Sequence, residues 1–307
     1  MTKVFIDGSA GTTGLRIVER LSERKDLSLL ILPDELRKDP AARADALASA
    51  DIAFLCLPDD AARESASLAK GSKVKIIDTS TAHRTDPDWI YGMPELTGLR
   101  DKIAASDRIA NPGCHASGFI ALVTPLVEQG ILSGDAALSA FSITGYSGGG
   151  KGMIAQYESQ ERDPLLKGPR QYALLQMHKH LPEMTKLCGL QNAPIFCPIV
   201  ADFYSGMEVT VPLFAKDMKG SIQDIKDLYA NYYKNGLIRY VDSADPDGML
   251  SAAAYSMKDD MSVSVFGNAD RILLVSRFDN LGKGASGAAI QNMNILLGVD
   301  EATGLNI

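Results

Sequence analysis

The stretch "VFIDGSAGTTGLRIVERL", Val4 to Leu21, reads as strand, glycine turn and helix. Gly8, Gly11 and Gly14 follow a G-x-x-G-x-x-G spacing. Glycines let such a turn fold tightly and bring backbone amides close to a pyrophosphate. The helix start adds unpaired N–H groups and a partial positive charge. Thr12 and Thr13 offer hydroxyl donors in the same place. A glycine turn alone is often only a tight turn; a strand before it and a helix after it favour dinucleotide binding.

The neighbouring sequence supplies more of the same pattern. "LSLLIL" (27–32), "DIAFLCL" (51–57) and "KVKIID" (73–78) are short, continuous apolar runs. Continuous rather than alternating runs suit parallel strands buried on both faces. "TGLRIVERLSERK" and "DDAARESASLAK" between them have helical spacing. Strand and helix alternating at short intervals predict a doubly wound α/β domain. At the tip of the second strand stand Leu32 and Pro33, with Arg37 and Lys38 beyond. An acidic residue there would favour NAD; the two cations favour NADP. Asp34 and Glu35 work against that choice, and a solvated loop is the alternative.

Bulk composition excludes several classes. The chain has 307 residues, 46% hydrophobic and 22% charged, ordinary for a globular protein. A net charge of -7 argues against nucleic acid as a partner. No apolar run approaches the roughly 18 residues of a membrane span, and "MTKVFIDGSAG" contains no secretory apolar region. Cys56, Cys114, Cys188 and Cys197 lack C-x-x-C spacing, so neither a disulfide framework nor a metal site is expected. A cytoplasmic location follows as the expectation.

The texture changes near residue 113. "FIALVTPLVEQGIL" reads as a helix ending near Gly130. Longer strand candidates follow in "ALSAFSITGYSG", "PIFCPIVADFYSGMEVTVPLF", "MSVSVFGN" and "RILLVSRFDN". Helices are expected at 182–188 and 221–235, and "GKGASGAAIQNMNILLG" reads as a final helix. The pattern predicts a second, α+β domain with a mixed or antiparallel sheet.

Cys114 stands at this boundary, in "NPGCHASG" (111–118), after a Pro-Gly turn and before a helix. A helix N-terminus favours the thiolate, one requirement of a nucleophile. A buried core thiol is the competing reading. Cys56 and Cys197 lie in apolar strands and read as packing residues. A nucleophile needs an acid/base partner. His178 and His180 in "HKHLPEM" precede a helix expected to start at Pro182, with Glu183 placed to orient an imidazole. His115 adjoins Cys114 but is expected to point away on its helix. Arg84 follows Ser80 in the loop after the fourth strand, where α/β sheets bind ligands, and an Arg fork suits an oxyanion. Arg108 and Lys151 are further cationic candidates; surface charges are the alternative for all three.

Together these pieces resemble the N-acetyl-γ-glutamyl-phosphate reductases, in the shorter of that family's two length classes. The resemblance covers essentially the whole chain. It rests on the ordered set "DGSAGTTG", "DTSTAHR", "YGMPEL", "NPGCHASG", "SGGGKG", "HKHLPEM" and "NLGKGASGAAIQNMN". It implies a Rossmann-type NADP-binding domain over 1–113. A catalytic and oligomerisation α+β domain over 114–279 would follow, like that of glyceraldehyde-3-phosphate dehydrogenase. Residues 280–307 would pack back on the first domain.

The resemblance also implies roles. Cys114 matches the family's nucleophile, and His178 and His180 its paired histidines, with His180 the first choice for acid/base. Gly8, Gly11, Gly14, Ser147, Gly148, Gly149 and Asn280 match the family's cofactor contacts; Ser9, Thr12 and Thr13 in the glycine turn and Arg37 beyond the second strand join them as cofactor candidates on their position alone. Ser80, Arg84, Arg108 and Lys151 are candidates for binding substrate. No metal is implied. The implied reaction reduces N-acetyl-L-glutamyl 5-phosphate with NADPH, releasing phosphate, in arginine biosynthesis, by a homodimer or homotetramer. His115 departs from the aromatic residue more usual there, which leaves the helix packing open. Alternatives are another acyl-phosphate reductase, such as aspartate-semialdehyde dehydrogenase, a Cys/His hydrolase, or a non-catalytic NADP sensor.

Overall fold

A computed structural model describes all residues, Met1–Ile307. It divides into two compact units, Met1–Pro112 with Ala285–Leu305, and Gly113–Gly284 with Asn306–Ile307.

In the first unit, β1 (Thr2–Asp7), α1 (Thr12–Ser22), β2 (Leu27–Leu30), α2 (Pro40–Ser49), β3 (Ile52–Leu55), α3 (Asp59–Leu68) and β4 (Lys75–Asp78) alternate. Then come β5 (Ile90–Tyr91), α4 (Leu99–Ala105) and β6 (Arg108–Ala110). All six strands are parallel, in the order β2-β1-β3-β4-β6-β5. The continuous apolar runs are explained by burial on both faces. Val4, Ile6, Ile52, Phe54 and Ile77 pack with Ile17 and Leu21 of α1 and with Ile290 and Met293 of the C-terminal helix, Gly287–Leu297. Phe5, Ala53, Leu55 and Ile76 face the other way, onto Leu47 of α2 and Ala62 of α3. Helix α2 was not expected from periodicity: its apolar face is mostly alanine. It starts where Asp39 accepts a hydrogen bond from the Ala42 N–H and Pro40 takes the first turn.

The second unit opens with α5 (Cys114–Glu128), followed by β7 (Ser139–Gly145), α6 (Gly150–Glu158), β8 (Arg170–Gln171) and α7 (Leu181–Leu187). Strands β9 (Ile195–Ala201) and β10 (Met207–Phe214), helix α8 (Ile222–Tyr232), and strands β11 (Ile238–Tyr240), β12 (Met261–Gly267) and β13 (Arg271–Phe278) complete it. The sheet order is β11-β12-β13-β10-β7-β9-β8. It is mixed: β7 runs parallel to β9 and β11 to β12, while the other neighbours are antiparallel.

Helix α5 lies on this sheet, buried from His115 to Leu126. Gly118 permits the contact: a Cβ there would stand 2.6 Å from both Ser276 Oγ on β13 and Val209 Cγ2 on β10. Pro125 interrupts the helix hydrogen bonding, because it has no N–H to give the Ala121 carbonyl. The hydroxyl of Tyr233, just past the end of α8, donates to that carbonyl at 2.7 Å, and Tyr229 donates to the next one, Leu122. Both tyrosines are buried. Tyr233→Phe removes the donor while keeping the ring. A buried carbonyl left without its donor costs about 1–3 kcal/mol, so urea unfolding of this variant should show a loss of that size, with the unfolding slope unchanged.

Candidate active site

The first unit carries a cavity of about 370 Å³ at the carboxyl ends of β1, β2 and β3. Asp7, Gly8, Ser9 and Gly11 line one side; Cys56, Leu57 and Pro58 line the other, with Leu32, Arg37 and Lys38 at the end of β2. The sheet order reverses between β1 and β3, the place where open α/β sheets take ligands. Two of the three glycines are sterically obligatory. Gly8 has φ +84°, and a side chain there would run into the Cys56 carbonyl; one at Gly14 would run into the Gly8 carbonyl. Gly11 has ordinary room and serves as the N-cap of α1. The glycine cradle and helix start fit the pyrophosphate of a dinucleotide. Arg37 pairs only with Asp34, 3.2 Å away, and both are exposed. Such pairs are weak, so an anionic ligand can compete for the guanidinium.

Beneath the turn lies a group of charges that sequence reading missed. Asp7 is buried and accepts from Arg43 Nε at 3.0 Å and from Ser65 Oγ at 2.6 Å. Arg43 also donates to Glu64 at 2.7 Å and to the Ala61 carbonyl. This network ties α2 and α3 to the residue that enters the glycine turn.

In the second unit, Cys114 is the first residue of α5, with Gly113 as N-cap, and is partly exposed. The partial charge of the helix start therefore acts on its side chain. The buried carboxylate of Glu183, from α7, accepts a hydrogen bond from the Gly113 N–H at 3.1 Å. A Cβ on Gly284 would stand 3.0 Å from that of Cys114, so the chain passes close to the thiol there.

The histidines gather around this helix start. The His178 and His180 rings lie 4.7 Å apart, and His115 is 5.5 Å from the first and 5.6 Å from the second. His180 is buried and caps α7, while His178 is partly exposed. The His180 backbone N–H donates to His178 Nδ1 at 3.1 Å. A neutral His178 thus carries its proton on Nε2 and presents it as a donor. His115 does not point away. It is buried in the cluster, 2.6 Å from Ser142 Oγ through Nδ1 and 2.7 Å from Tyr172 Oη through Nε2. Burial, and then the neighbouring His178, push its pKa down to about 3. Tyr172 had no signal in the sequence beyond its place six residues before His178.

Other expected contacts are redirected. Arg108 begins β6, at the sheet edge opposite the cavity, and donates to the Val74 and Asp107 carbonyls; it is a strut there rather than a substrate ligand. Ser80 donates to Asp78 and accepts from the Ala82 N–H, which commits its hydroxyl to the loop. Arg84 Nε donates to the Asn111 carbonyl at 2.9 Å and Nη2 to the Thr79 carbonyl at 3.1 Å, so it braces two backbone segments instead of offering an open fork. Asn280 is committed at both ends of its amide, to the Gly206 N–H and to Ser147 Oγ. Gly148, Gly149 and Lys151 are exposed, in the loop and first turn of α6. No helix is long and apolar enough to cross a membrane.

Comparison with known proteins adds the following. Residues 3–106 match the family model for the semialdehyde dehydrogenase NAD-binding domain, and residues 114–280 that for its dimerisation domain. N-acetyl-gamma-glutamyl-phosphate reductase 2 of Nostoc is 46% identical, over 99% of both chains. The N-acetyl-gamma-glutamyl-phosphate reductase of Brucella suis is also 46% identical, over 96% of this chain and 99% of its own. Among solved structures, aspartate semialdehyde dehydrogenase II of Vibrio cholerae superposes with TM-score 0.73 at 18% identity, covering 97% of this chain and 98% of its own. The aspartate semialdehyde dehydrogenase of Francisella tularensis gives 0.71 at 15%, covering 97% and 100%.

The low pKa of His115 has a consequence for stability. An unfolded chain takes up a proton on this imidazole near pH 6.5; the folded one does not until about pH 3. Across that window the unfolded state binds more protons, so acidification from pH 6.5 toward 3 withdraws stability. His115→Phe, which cannot titrate, should flatten that part of the stability–pH curve. Imidazole NMR should find His115 neutral at pH 5.

Proposed function

Because the chain belongs to the semialdehyde dehydrogenase family, and within it to the N-acetyl-gamma-glutamyl-phosphate reductases, we propose that it reduces N-acetyl-L-glutamyl 5-phosphate to N-acetyl-L-glutamate 5-semialdehyde, releasing phosphate. The observation that carries the proposal is a partly exposed thiol at the start of a buried helix, with two histidines of one short loop beside that helix start. The reaction is a step of arginine biosynthesis, and NADP is the cofactor. Gly8, Ser9, Gly11, Thr12, Thr13 and Gly14 would hold its pyrophosphate; Arg37, with Lys38, would take its 2′-phosphate. When bound, NADPH supplies the hydride.

The chain's own residues do the rest. Cys114 thiolate attacks the acyl carbon. A carbon–sulfur bond forms, the carbon–oxygen bond to phosphate breaks, and phosphate leaves with the electron pair. His180 takes the thiol proton, and His178, with Nε2–H, donates to the acyl oxygen as charge builds on it. Glu183 holds the start of α5 in place. When the carbon–sulfur bond breaks at the end, the thiol is restored. Lys151 is the remaining cationic candidate for the substrate. The free cysteines suit a reducing compartment, the cytoplasm.

A homodimer built on the second unit's sheet is part of the same proposal. Strand register puts Phe141, Ile195, Phe214 and Leu273 on the sheet face opposite α5. All four are exposed, Ile195 by 63% and Phe214 by 57%. An apolar face of this kind marks an interface, and the matched model is described as a dimerisation domain. Phe141→Asp with Ile195→Asp should convert a dimer to monomer in sedimentation velocity; an unchanged sedimentation coefficient removes this face as the interface.

The chemistry is tested in the reverse direction at 340 nm. The semialdehyde should reduce NADP only when phosphate is present, which a thiol hydrolase cannot do. Cys114→Ser should lose this activity by at least about 10³-fold while still binding NADP; full activity in that variant removes the nucleophile.

A further inference from the structure

The histidine next to the nucleophile and a tyrosine far from it in sequence form one hydrogen-bonded chain. His115 is only 3% exposed, and both its ring nitrogens have partners, Ser142 Oγ at 2.6 Å and Tyr172 Oη at 2.7 Å. Ser142 is wholly buried on β7, a rigid anchor. A neutral imidazole has one donor and one acceptor. Two directions satisfy that rule; with the proton on Nε2, Ser142 donates to Nδ1 and Nε2–H donates to Tyr172 Oη. The tyrosine hydrogen is then left pointing onward.

The surroundings of that hydroxyl are the other histidine and the thiol. The Tyr172 ring is 6.1 Å from His115 and 5.9 Å from His178. Burial raises the Tyr172 pKa above the ordinary phenol value, and the charge of a Cys114 thiolate adds to the rise, so the hydroxyl keeps its proton and lies within electrostatic reach of the sulfur. The segment after it is held in an unfavourable backbone shape. Ala173 and Gln176 have φ of +53° and +56°, and the Gln176 side chain makes two hydrogen bonds to the Phe196 main chain. Left-handed conformations outside glycine and asparagine cost free energy and concentrate at functional sites.

We propose that Tyr172 donates a hydrogen bond to the oxygen of the acyl group on Cys114, and that His115 is a positioning residue which acts through Tyr172. The proton stays on the tyrosine throughout; its O–H supplies a fixed dipole where negative charge develops. His115 touches neither substrate nor cofactor in this arrangement. The proposal rests on Cys114 as the nucleophile, and the test separates the two.

The enzyme is first mixed with the acyl phosphate without NADPH, and acylation of Cys114 is followed by mass spectrometry. Absence of the adduct in the wild-type protein overturns both readings. With the adduct formed, Tyr172→Phe should lower kcat on the order of 10²-fold, the cost of one oxyanion donor, with KM for the acyl phosphate changed by less than about threefold. His115→Phe should lower kcat similarly, and adding it to Tyr172→Phe should cost nothing further, because residues acting as one unit are not additive. His115→Gln, which keeps a donor and an acceptor, should recover part of the loss and serves if the Phe variant is unstable. Wild-type kcat in Tyr172→Phe overturns the proposal; losses that multiply in the double variant overturn the positioning role of His115.

Discussion

Everything in the second unit is arranged around the closeness of α5 to its sheet. The helix can lie directly on β10 and β13 because Gly118 presents no side chain to Val209 and Ser276. Closeness buries the helix along nearly its whole length, and burial removes water as a source of hydrogen bonds for its backbone. The carbonyl orphaned by Pro125 must then be satisfied by protein, which explains the buried Tyr233 hydroxyl donating to it from just past α8. A helix fixed this firmly has a fixed beginning. Cys114 inherits its position from packing that starts four residues further on.

The same logic sorts the buried polar side chains. Arg84, Arg108 and Asn280 look like ligand contacts when they are only letters, since cations and amides suit anions. In space their donors meet main-chain carbonyls or a neighbouring hydroxyl. Loops that carry chemistry need their own backbone groups satisfied, and long polar side chains do that from a distance. Arg43 shows the scale of such a commitment. Its pair with Asp7 is almost dry, and breaking a buried pair from one side typically costs about 3–5 kcal/mol. Arg37, with its exposed partner, has no such commitment and remains available to a ligand.

Legibility in the sequence followed the same division. Strands β1, β3 and β4, the glycine turn and the apolar helices were readable because local pattern and final environment agree. Helix α2 was not, because an alanine-rich face carries little periodic signal. The strand stretch 194–214 folds as two strands, β9 and β10, reversing near Tyr204 and Gly206. Cys114 and the pair His178 and His180 could be singled out because a helix start and a short polar run are local. Tyr172 and the inward turn of His115 were not. Their meeting depends on the pairing of β8 with β9, which no short stretch encodes.

The hydrogen bond from Gly113 to Glu183 joins these arguments. A carboxylate close to a cysteine at a helix start is electrostatically unwelcome, since negative charge opposes a thiolate. Its position makes sense as geometry. The Gly113 N–H is an orphan donor at the start of α5, and Glu183 satisfies it. Glu183 also lies in the first turn of α7, the helix that His180 caps. One bond thus fixes the start of the helix that carries the thiol against the start of the helix that carries the imidazole. The opposing charge is offset by the dipoles of both helix starts, which favour a carboxylate and a thiolate alike. Register between the thiol and the imidazole is thus set by Glu183.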